Sequence, residues 1–539
     1  MPVFPLEQSF YPPTDEVAVE DATIGSLLEG AASRCGSRTA LIEGHADGSS
    51  GRRWTFAELA ADSERLARKL AGQFAKGDRI AVWAPNAPEW VILEYAAALA
   101  GLVLVTVNPG YVARELDYVL RQSGASALFL VKEHRGNMLA ETAAEVVPSI
   151  PAIRMIVDLE DLGALDELPD GELPSVAPGD PAQIQYTSGT TGFPKGVVLS
   201  HRNLANNARH YCAVAAVEDG PVVLAMTPLF HTTGCSMAVL GAVQIGSPLV
   251  LLRQFDAEAA LDIIERERVE MFLGVPTMLI AMCAAQRARP RDLASVGRVV
   301  CGGAMVAPEL VRDVVELMGV RFFTAYGQTE SSPLLTMTRP DDSFDDICGT
   351  IGRPMPQTEL AIMATGTDDV VDCDTVGEIC ARSYAVMIGY HDNPEATAQA
   401  IDRNGWLRTG DLGKMDERGF VRITGRVKDM IIRGGENLFP AEIENVLLEH
   451  DDVAEVAVIG VPDSFLGEEV AAFLRLEPGK SLDPASLKAH CRERMAAQKC
   501  PEHWIAVDNW PMTGSGKIQK FALRDQWLAA NPEPAITDS

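Results

Sequence analysis

The sequence predicts an α/β protein: a large body of mixed α/β sheets with flanking helices and a β-rich extension, then a small α/β appendage. Three observations predict it. At 539 residues the chain is too long for one hydrophobic core. Amphipathic helical periods alternate with short apolar strands over two long stretches. Beyond Gly349 that rhythm gives way to shorter β-like pieces, and then to a unit that could fold alone. Hydrophobic residues at 47% and charged residues at 22% are ordinary globular values, enough to bury a sizeable core against chain entropy.

From about Trp54 to Val131, FAELAADSERLARKLAG reads as a helix, and RIAVWAP, GLVLVTVN and ASALFLV read as strands. The alternation suggests βαβ units and a mostly parallel sheet. The acidic, Pro- and Gly-containing stretch from Glu160 to Pro181 reads as a surface connection. The rhythm resumes at Gln183 and runs to about Thr336, with QIQY, VVLAMTP, SPLVLL, MFLGVP, RVVCGG and RFFTAYG as strands and AEAALDIIERERV as an amphipathic helix. Loops at strand ends are where ligands sit in such sheets. After Gly349, TELAIM, GEICARS and FVRITG read as short strands. The last unit, about Val427 to Trp527, carries helices in PAEIENVLLEH and SLKAHCRERM and strands in VAEVAVIGVP and EEVAAFLRL. The tail NPEPAITDS reads as disordered.

Composition excludes several classes. The net charge of −29 would repel nucleic acid and anionic lipid, so any phosphate must be held locally. MPVFPLEQSF lacks the pattern of an export signal, and the longest apolar stretch, Ala238 to Leu252, is broken by Gln244, Gly246 and Ser247, so no integral membrane segment is expected. Ten cysteines without CxxC or regular spacing fit reduced thiols and a cytoplasmic protein better than a disulfide framework or a zinc site.

YTSGTTGFPKGV (Tyr186–Val197) places three glycines, four Ser/Thr hydroxyls and one lysine in twelve residues after the strand-like QIQY. Glycines let backbone N–H groups approach an anion while the hydroxyls and Lys195 add donors, which makes a phosphate cradle. It is not GxxxxGK[ST], and a flexible connection is the alternative. TSGTTGFPKG strongly resembles the phosphate-binding signature of the adenylate-forming superfamily, which includes acyl-CoA synthetases, non-ribosomal peptide adenylation domains and firefly luciferase. Further motifs match in chain order: NAPEW, VNPGY, ELDYVL, TPLFHTTG, GVPTML, CGGA, YGQTE, WLRTGDLG, GRVKDMIIRGGENLFPAEIE and PMTGSGKIQK. Singly, YGQTE could be a strand exit, WLRTGDLG a turn and PMTGSGKIQK a surface loop. Jointly they cover nearly the whole chain.

The resemblance implies a large N-terminal adenylate-forming domain, residues 1–427, and a small mobile α/β C-terminal domain, residues 428–539. It implies ATP and Mg²⁺ as partners and a first half-reaction in which a carboxylate attacks the α-phosphate and pyrophosphate leaves. Thr187, Ser188, Gly189, Thr190, Thr191, Gly192 and Lys195 would cradle the β- and γ-phosphates. In YGQTE, which includes Gly327 and Gln328 of the ATP site, Thr329 would hydrogen-bond the α-phosphate and Glu330 would help hold the metal. Gly302, Gly303 and Ala304 would let adenine lie against backbone because side chains there would block the slot, with Tyr326 stacking on the ring. Asp411 would accept from the ribose hydroxyls, with Arg426 near. Lys517 would be the catalytic lysine, bridging the substrate carboxylate and the α-phosphate. Lys428 would be the hinge about which the small domain turns, and Gly434 and Gly435 would then flank the pantetheine path.

Peptide-synthetase adenylation domains place an aspartate after the phenylalanine matching Phe230; this chain has His231. The other pocket candidates, Thr232, Thr233, Gly234, Val275, Pro276, Thr277, Ser331, Ser332 and Leu334, are neutral too, so an uncharged acyl or aryl tail is favoured. By resemblance His231 borders the acyl tunnel near the reacting carboxylate; the alternative is a packed, hydrogen-bonded histidine without a chemical role. The stretch Gly352–Ile379 is compact, without the insertion of carrier-protein acyl-AMP ligases, which favours CoA as the acceptor. RGGENLFPAEIE and SGKIQKFALR resemble the medium-chain acyl-CoA synthetase branch, which includes mitochondrial relatives. A fatty-acid or related carboxylate CoA ligase is therefore expected. The alternative is a biosynthetic adenylating enzyme that activates an aryl or small inorganic acid for attack by an amine or carrier thiol. A non-catalytic nucleotide-binding regulator would be expected to lose Lys517 or Glu330, and both are present. The number of subunits stays open, a homodimer among the options.

Overall fold

The computed structural model describes residues 5–187, 194–217, 220–304, 306–434, 436–463, 465–512 and 518–531. A large N-terminal domain contains three sheets, and a small C-terminal domain contains a fourth. One sheet has seven strands; Pro181–Thr187, Val103–Val107, Arg79–Trp83, Ala127–Leu130 and Met155–Asp158 run parallel, and Lys195–Ser200 and Gly389–Tyr390 close one edge antiparallel. Another has nine, with a parallel centre that includes Val223–Ala225, Met271–Gly274, Arg298–Gly302 and Arg321–Gly327. The expected mostly parallel core is therefore present twice. Parallel strands buried on both faces read as continuous apolar runs, which is why RIAVW and VLVTV were legible as strands.

Helix Pro88–Leu99 packs against helices Phe56–Ala71 and Ile24–Cys35 and is buried on nearly every side. Helix Phe56–Ala71 starts where its amphipathic pattern starts, because Thr55 and Glu58 form a capping box. The third sheet is antiparallel and includes Thr358–Met363, Gly377–Ser383 and Leu407–Met415, as the change of texture after Gly349 implied. Its edge strand is Phe10–Tyr11 from the other end of the chain, a long-range pairing with no local signature. The stretch from Glu160 to Pro181 is not wholly a surface connection. Leu159–Leu165 forms a helical turn that buries Leu159, Leu162 and Leu165.

In the small domain, Val453–Asp463 and Gly467–Leu476 pair antiparallel and are joined by Ile431–Arg433, Glu436–Leu438 and His503–Ala506, with helices Pro440–Leu448, Pro484–Arg494 and Lys520–Ala530. Among the described residues, no helix is long and apolar enough to cross a membrane. All ten cysteines are free thiols, most of them buried.

Candidate active site

Strands Pro181–Thr187 and Lys195–Ser200 pair antiparallel with Thr187 opposite Lys195, so the two ends of the cradle sequence lie on paired strands. Ser188, Gly189, Thr190, Thr191 and Gly192 lie outside the described residues, as do Gly435 and Lys517. On the described side, the Tyr118 hydroxyl donates to the Pro194 carbonyl at 3.0 Å and Lys195 begins the return strand. Lys195 and Tyr390 line a cavity of about 240 Å³ with Tyr118, Gln122 and His391.

In the nine-stranded sheet, strand Arg321–Gly327 delivers YGQTE. Gly327 fits because a Cβ there would lie 1.7 Å from the Pro333 carbonyl oxygen. Thr329–Ser331 then forms one tight helical turn. Buried Asn207 braces that turn: its Nδ2 donates to the carbonyls of Ser331 and Leu334, and its Oδ1 accepts from the Leu334 amide. Glu330 is half-buried and is not the freely exposed carboxylate that a ligand at a loop suggests. The Tyr390 hydroxyl donates to Glu330 Oε1 at 2.8 Å, the Met387 amide donates to the Glu330 carbonyl at 2.9 Å, and Lys195 Nζ lies 4.8 Å from the Tyr390 ring centre.

A second bonded set forms where the antiparallel sheet meets that strand. The Tyr326 hydroxyl donates to Asp411 Oδ2 at 2.7 Å, and Arg426 Nε lies 3.1 Å from Asp411 Oδ1. Burial first, and then the Asp411 charge, push the Tyr326 phenol well above its usual pKa, so it remains a donor. The Gly410 amide donates to Glu378 Oε1 at 3.0 Å and orients the turn.

Gly302 and Gly303 end the neighbouring strand for different reasons. A Cβ on Gly302 would stand 2.6 Å from the Ala325 carbonyl oxygen, so the close approach is to the paired strand. Gly303 has φ of +80°, a left-handed conformation natural to glycine. Its missing side chain would point towards Val275 Cγ1, 3.6 Å away, which brings the expected adenine and acid segments together.

The loop Thr227–Gly234 is held from beneath. Buried Asn86 donates to the carbonyls of Thr227 and Leu252 and accepts from the Leu229 amide, and Thr106 Oγ1 donates to the Phe230 carbonyl. The rings of Phe230 and His231 lie 4.4 Å apart between centres, tilted by 48°. Thr232 is buried, and Thr233–Leu240 winds as a π-helix, a wide form found mostly in short pieces at functional sites. Lys428 lies in the helical turn Val427–Asp429, and Gly434, with φ of +59°, donates its amide to the Leu466 carbonyl.

The described residues thus gather the expected site residues into three groups: Lys195 with Glu330, Tyr326 with Asp411 and Arg426, and Gly303 with Val275. Tyr390, Asn207 and Thr106 were missed. GYHDNPEAT, which carries Tyr390, resembles an ordinary strand-to-turn exit, and a buried asparagine or threonine has no local signal at all. A conspicuous tyrosine before Asn-Pro was the one available hint. For a metal, Glu330 offers an oxygen donor of the kind Mg²⁺ prefers. Among the described residues, no group of three or more His, Cys, Asp or Glu could hold a metal.

Residues 28–391 match the AMP-binding enzyme family, and residues 442–517 match the AMP-binding enzyme C-terminal domain. The chain belongs to the AMP-binding enzyme family. YngI of Bacillus subtilis (strain 168), grouped by name with the acyl-CoA synthetases, is 39% identical over 538 residues, which cover 94% of this chain and 97% of YngI. The human mitochondrial medium-chain acyl-CoA ligase ACSF2 is 37% identical, covering 94% of this chain and 87% of that one. ATP-bound MatB from Rhodopseudomonas palustris has a similar structure, with a TM-score of 0.84, 28% identity, and coverage of 94% and 99%. This AMP-binding enzyme is an acid–thiol ligase: it activates a carboxylic acid with ATP to an acyl-adenylate and then forms the CoA thioester.

Proposed function

We propose that the acid is an uncharged fatty or related acid, with medium chain length favoured, and that the expected residues carry the two half-reactions. Medium chain length is supported by the likeness to ligases named for it. A neutral tail is supported by the neutral loop around Phe230–Gly234 and by the absence of an acidic residue at position 231.

Thr187, Lys195 and the 188–192 loop bind the triphosphate and release pyrophosphate through backbone and side-chain donors. Thr329 hydrogen-bonds the α-phosphate. Glu330 would hold Mg²⁺, which when bound neutralises charge on the phosphates. Tyr326 packs against the adenine held along Gly302–Ala304, and Asp411, oriented by Tyr326 and Arg426, accepts from the ribose. Lys517 stabilises the charge that develops as carboxylate oxygen attacks phosphorus. Lys428 serves as the hinge between residues 1–427 and 428–539, and Gly434 and Gly435 line the pantetheine path after rotation. His231 borders the acyl tunnel. Free thiols suit a reducing cytoplasm.

The observation that carries this reading is the convergence of Lys195 and Glu330 on Tyr390, which sets a cation beside a carboxylate as Mg²⁺-ATP requires. The test is pyrophosphate release with ATP and Mg²⁺ across fatty acids of graded length, benzoates, cinnamates, amino acids and nitrite, with and without CoA, with mass analysis of products. A maximum on medium-chain acids with acyl-CoA formed only when CoA is present is expected. A maximum on a charged or aryl acid would overturn the substrate assignment.

A further inference from the structure

Tyr390 touches both charged groups of the proposed phosphate site, one with its hydroxyl and one with its ring face. These contacts suit a holder. A ring face attracts an ammonium as a whole charge, and one hydroxyl occupies one lone pair of a carboxylate that has about four. Lys195 and Glu330 are thereby anchored with acceptor and charge capacity to spare.

The tyrosine itself is firmly placed. Gly389–Tyr390 pairs with the return strand from the cradle, Tyr390 opposite Val197. The Ile388 amide donates to the Val198 carbonyl, the His391 amide to the Gly196 carbonyl and the Tyr390 amide to Thr397 Oγ1. Gln122 Nε2 donates to the His391 carbonyl at 2.8 Å, from the same helix whose Tyr118 holds Pro194. One short strand therefore ties the cradle exit to the turn that carries Glu330.

We infer that Tyr390 is a positioning residue of the first half-reaction, setting the separation of Lys195 and Glu330 so that the phosphates and metal of Mg²⁺-ATP meet charges already in place. The inference rests on the phosphate-binding and metal-holding roles proposed above for those two residues.

Tyr390→Phe keeps the ring and removes the hydroxyl. The Mg²⁺ concentration for half-maximal pyrophosphate release should rise about ten-fold, as expected for losing a hydrogen bond to a charged group. Transfer from a premade acyl-adenylate to CoA should be unchanged. Calorimetric titration with ATP at several Mg²⁺ concentrations, without any acid, should show the same displacement. Tyr390→Leu, which also removes the ring, should raise KM for ATP as well. Glu330→Gln and the double variant separate the inference from its foundation. If Glu330→Gln leaves the Mg²⁺ requirement unchanged, the metal-holding role fails and the inference with it. If Glu330→Gln shifts that requirement and Tyr390→Phe does not, the inference alone fails. A Tyr390→Phe effect that adds in full to Glu330→Gln would mark a hydroxyl that does not act through Glu330 and would also overturn it; no further loss in the double variant is expected.

Discussion

Two carboxylates in the large domain show how burial decides what the same side chain can do. Glu94 lies inside, on the helix Pro88–Leu99, 2% exposed, with Oε1 accepting from Gln183 Nε2 at 2.7 Å. Gln185 Nε2 donates in turn to Gln183 Oε1 and to Cys235 Sγ, extending the network to the π-helix. Desolvation drives the Glu94 pKa well above the usual carboxylate range, only partly offset by the hydrogen bond from Gln183, and the side chain links helix and strand. Glu330 sits half-buried at a strand end, accepts one hydroxyl and faces a lysine across a ring. A buried charge is expensive unless paired, whereas a half-solvated one is available for a cation. The first should therefore serve folding and the second chemistry.

Four measurements would break or sharpen that contrast. The largest effect should come from Lys517→Ala, which removes the cation proposed above to stabilise the activation step. Pyrophosphate release should fall by roughly 10³-fold, the upper end for loss of one electrostatic stabiliser. CoA transfer from premade acyl-adenylate should survive. Equal loss of both half-reactions would show that Lys517 is not confined to the first. Glu330→Ala should lower Mg²⁺-dependent pyrophosphate release by about 10²-fold. Its melting temperature should stay within a few degrees of the parent, and a collapse in stability with activity per folded molecule intact would erase the contrast.

Glu94→Ala should do the reverse. It leaves a cavity and strands Gln183 Nε2, at a cost of roughly 2–4 kcal/mol of unfolding free energy in denaturant titration. Activity per folded molecule should be nearly kept. The smallest effect should belong to Glu94→Gln. Because the folded-state pKa is raised, the wild-type carboxyl contributes its full stability below the unfolded-state pKa, about 4.3. That contribution declines as pH rises towards the folded-state value. Glutamine has no such titration, so the variant should gain stability relative to wild type as pH rises above the unfolded-state pKa. A pH-independent difference between the melting curves would mean that Glu94 is ionised in the core.

The same contrast explains what was legible in advance. Strands such as RIAVW and RFFTAYG, and the helix Phe56–Ala71 with its capping box, announce themselves because their signals lie within a few residues. The pairing of Phe10–Tyr11 with Leu360 and Ala361 could not be seen, since it joins segments with no local complementarity. Site residues divide in the same way. Lys195, Glu330 and Asp411 were singled out because each sits in a motif that resembles the family's phosphate, metal or ribose segment. Asn86 lies within one such motif, NAPEW, but its work of clamping the Thr227–Leu229 backbone was not foreseen. Gly302 has a further reason that was not foreseen, letting two paired strands approach.

By itself, then, the sequence determined the chemistry class, through motifs whose residue types and order resemble those of the adenylate-forming superfamily. It also determined the broad layering, through hydrophobic period. Only the tertiary structure decided which carboxylate is buried beside a glutamine and which is held by a tyrosine from another segment. Burial and desolvation depend on residues distant in the chain, and no local pattern encodes them.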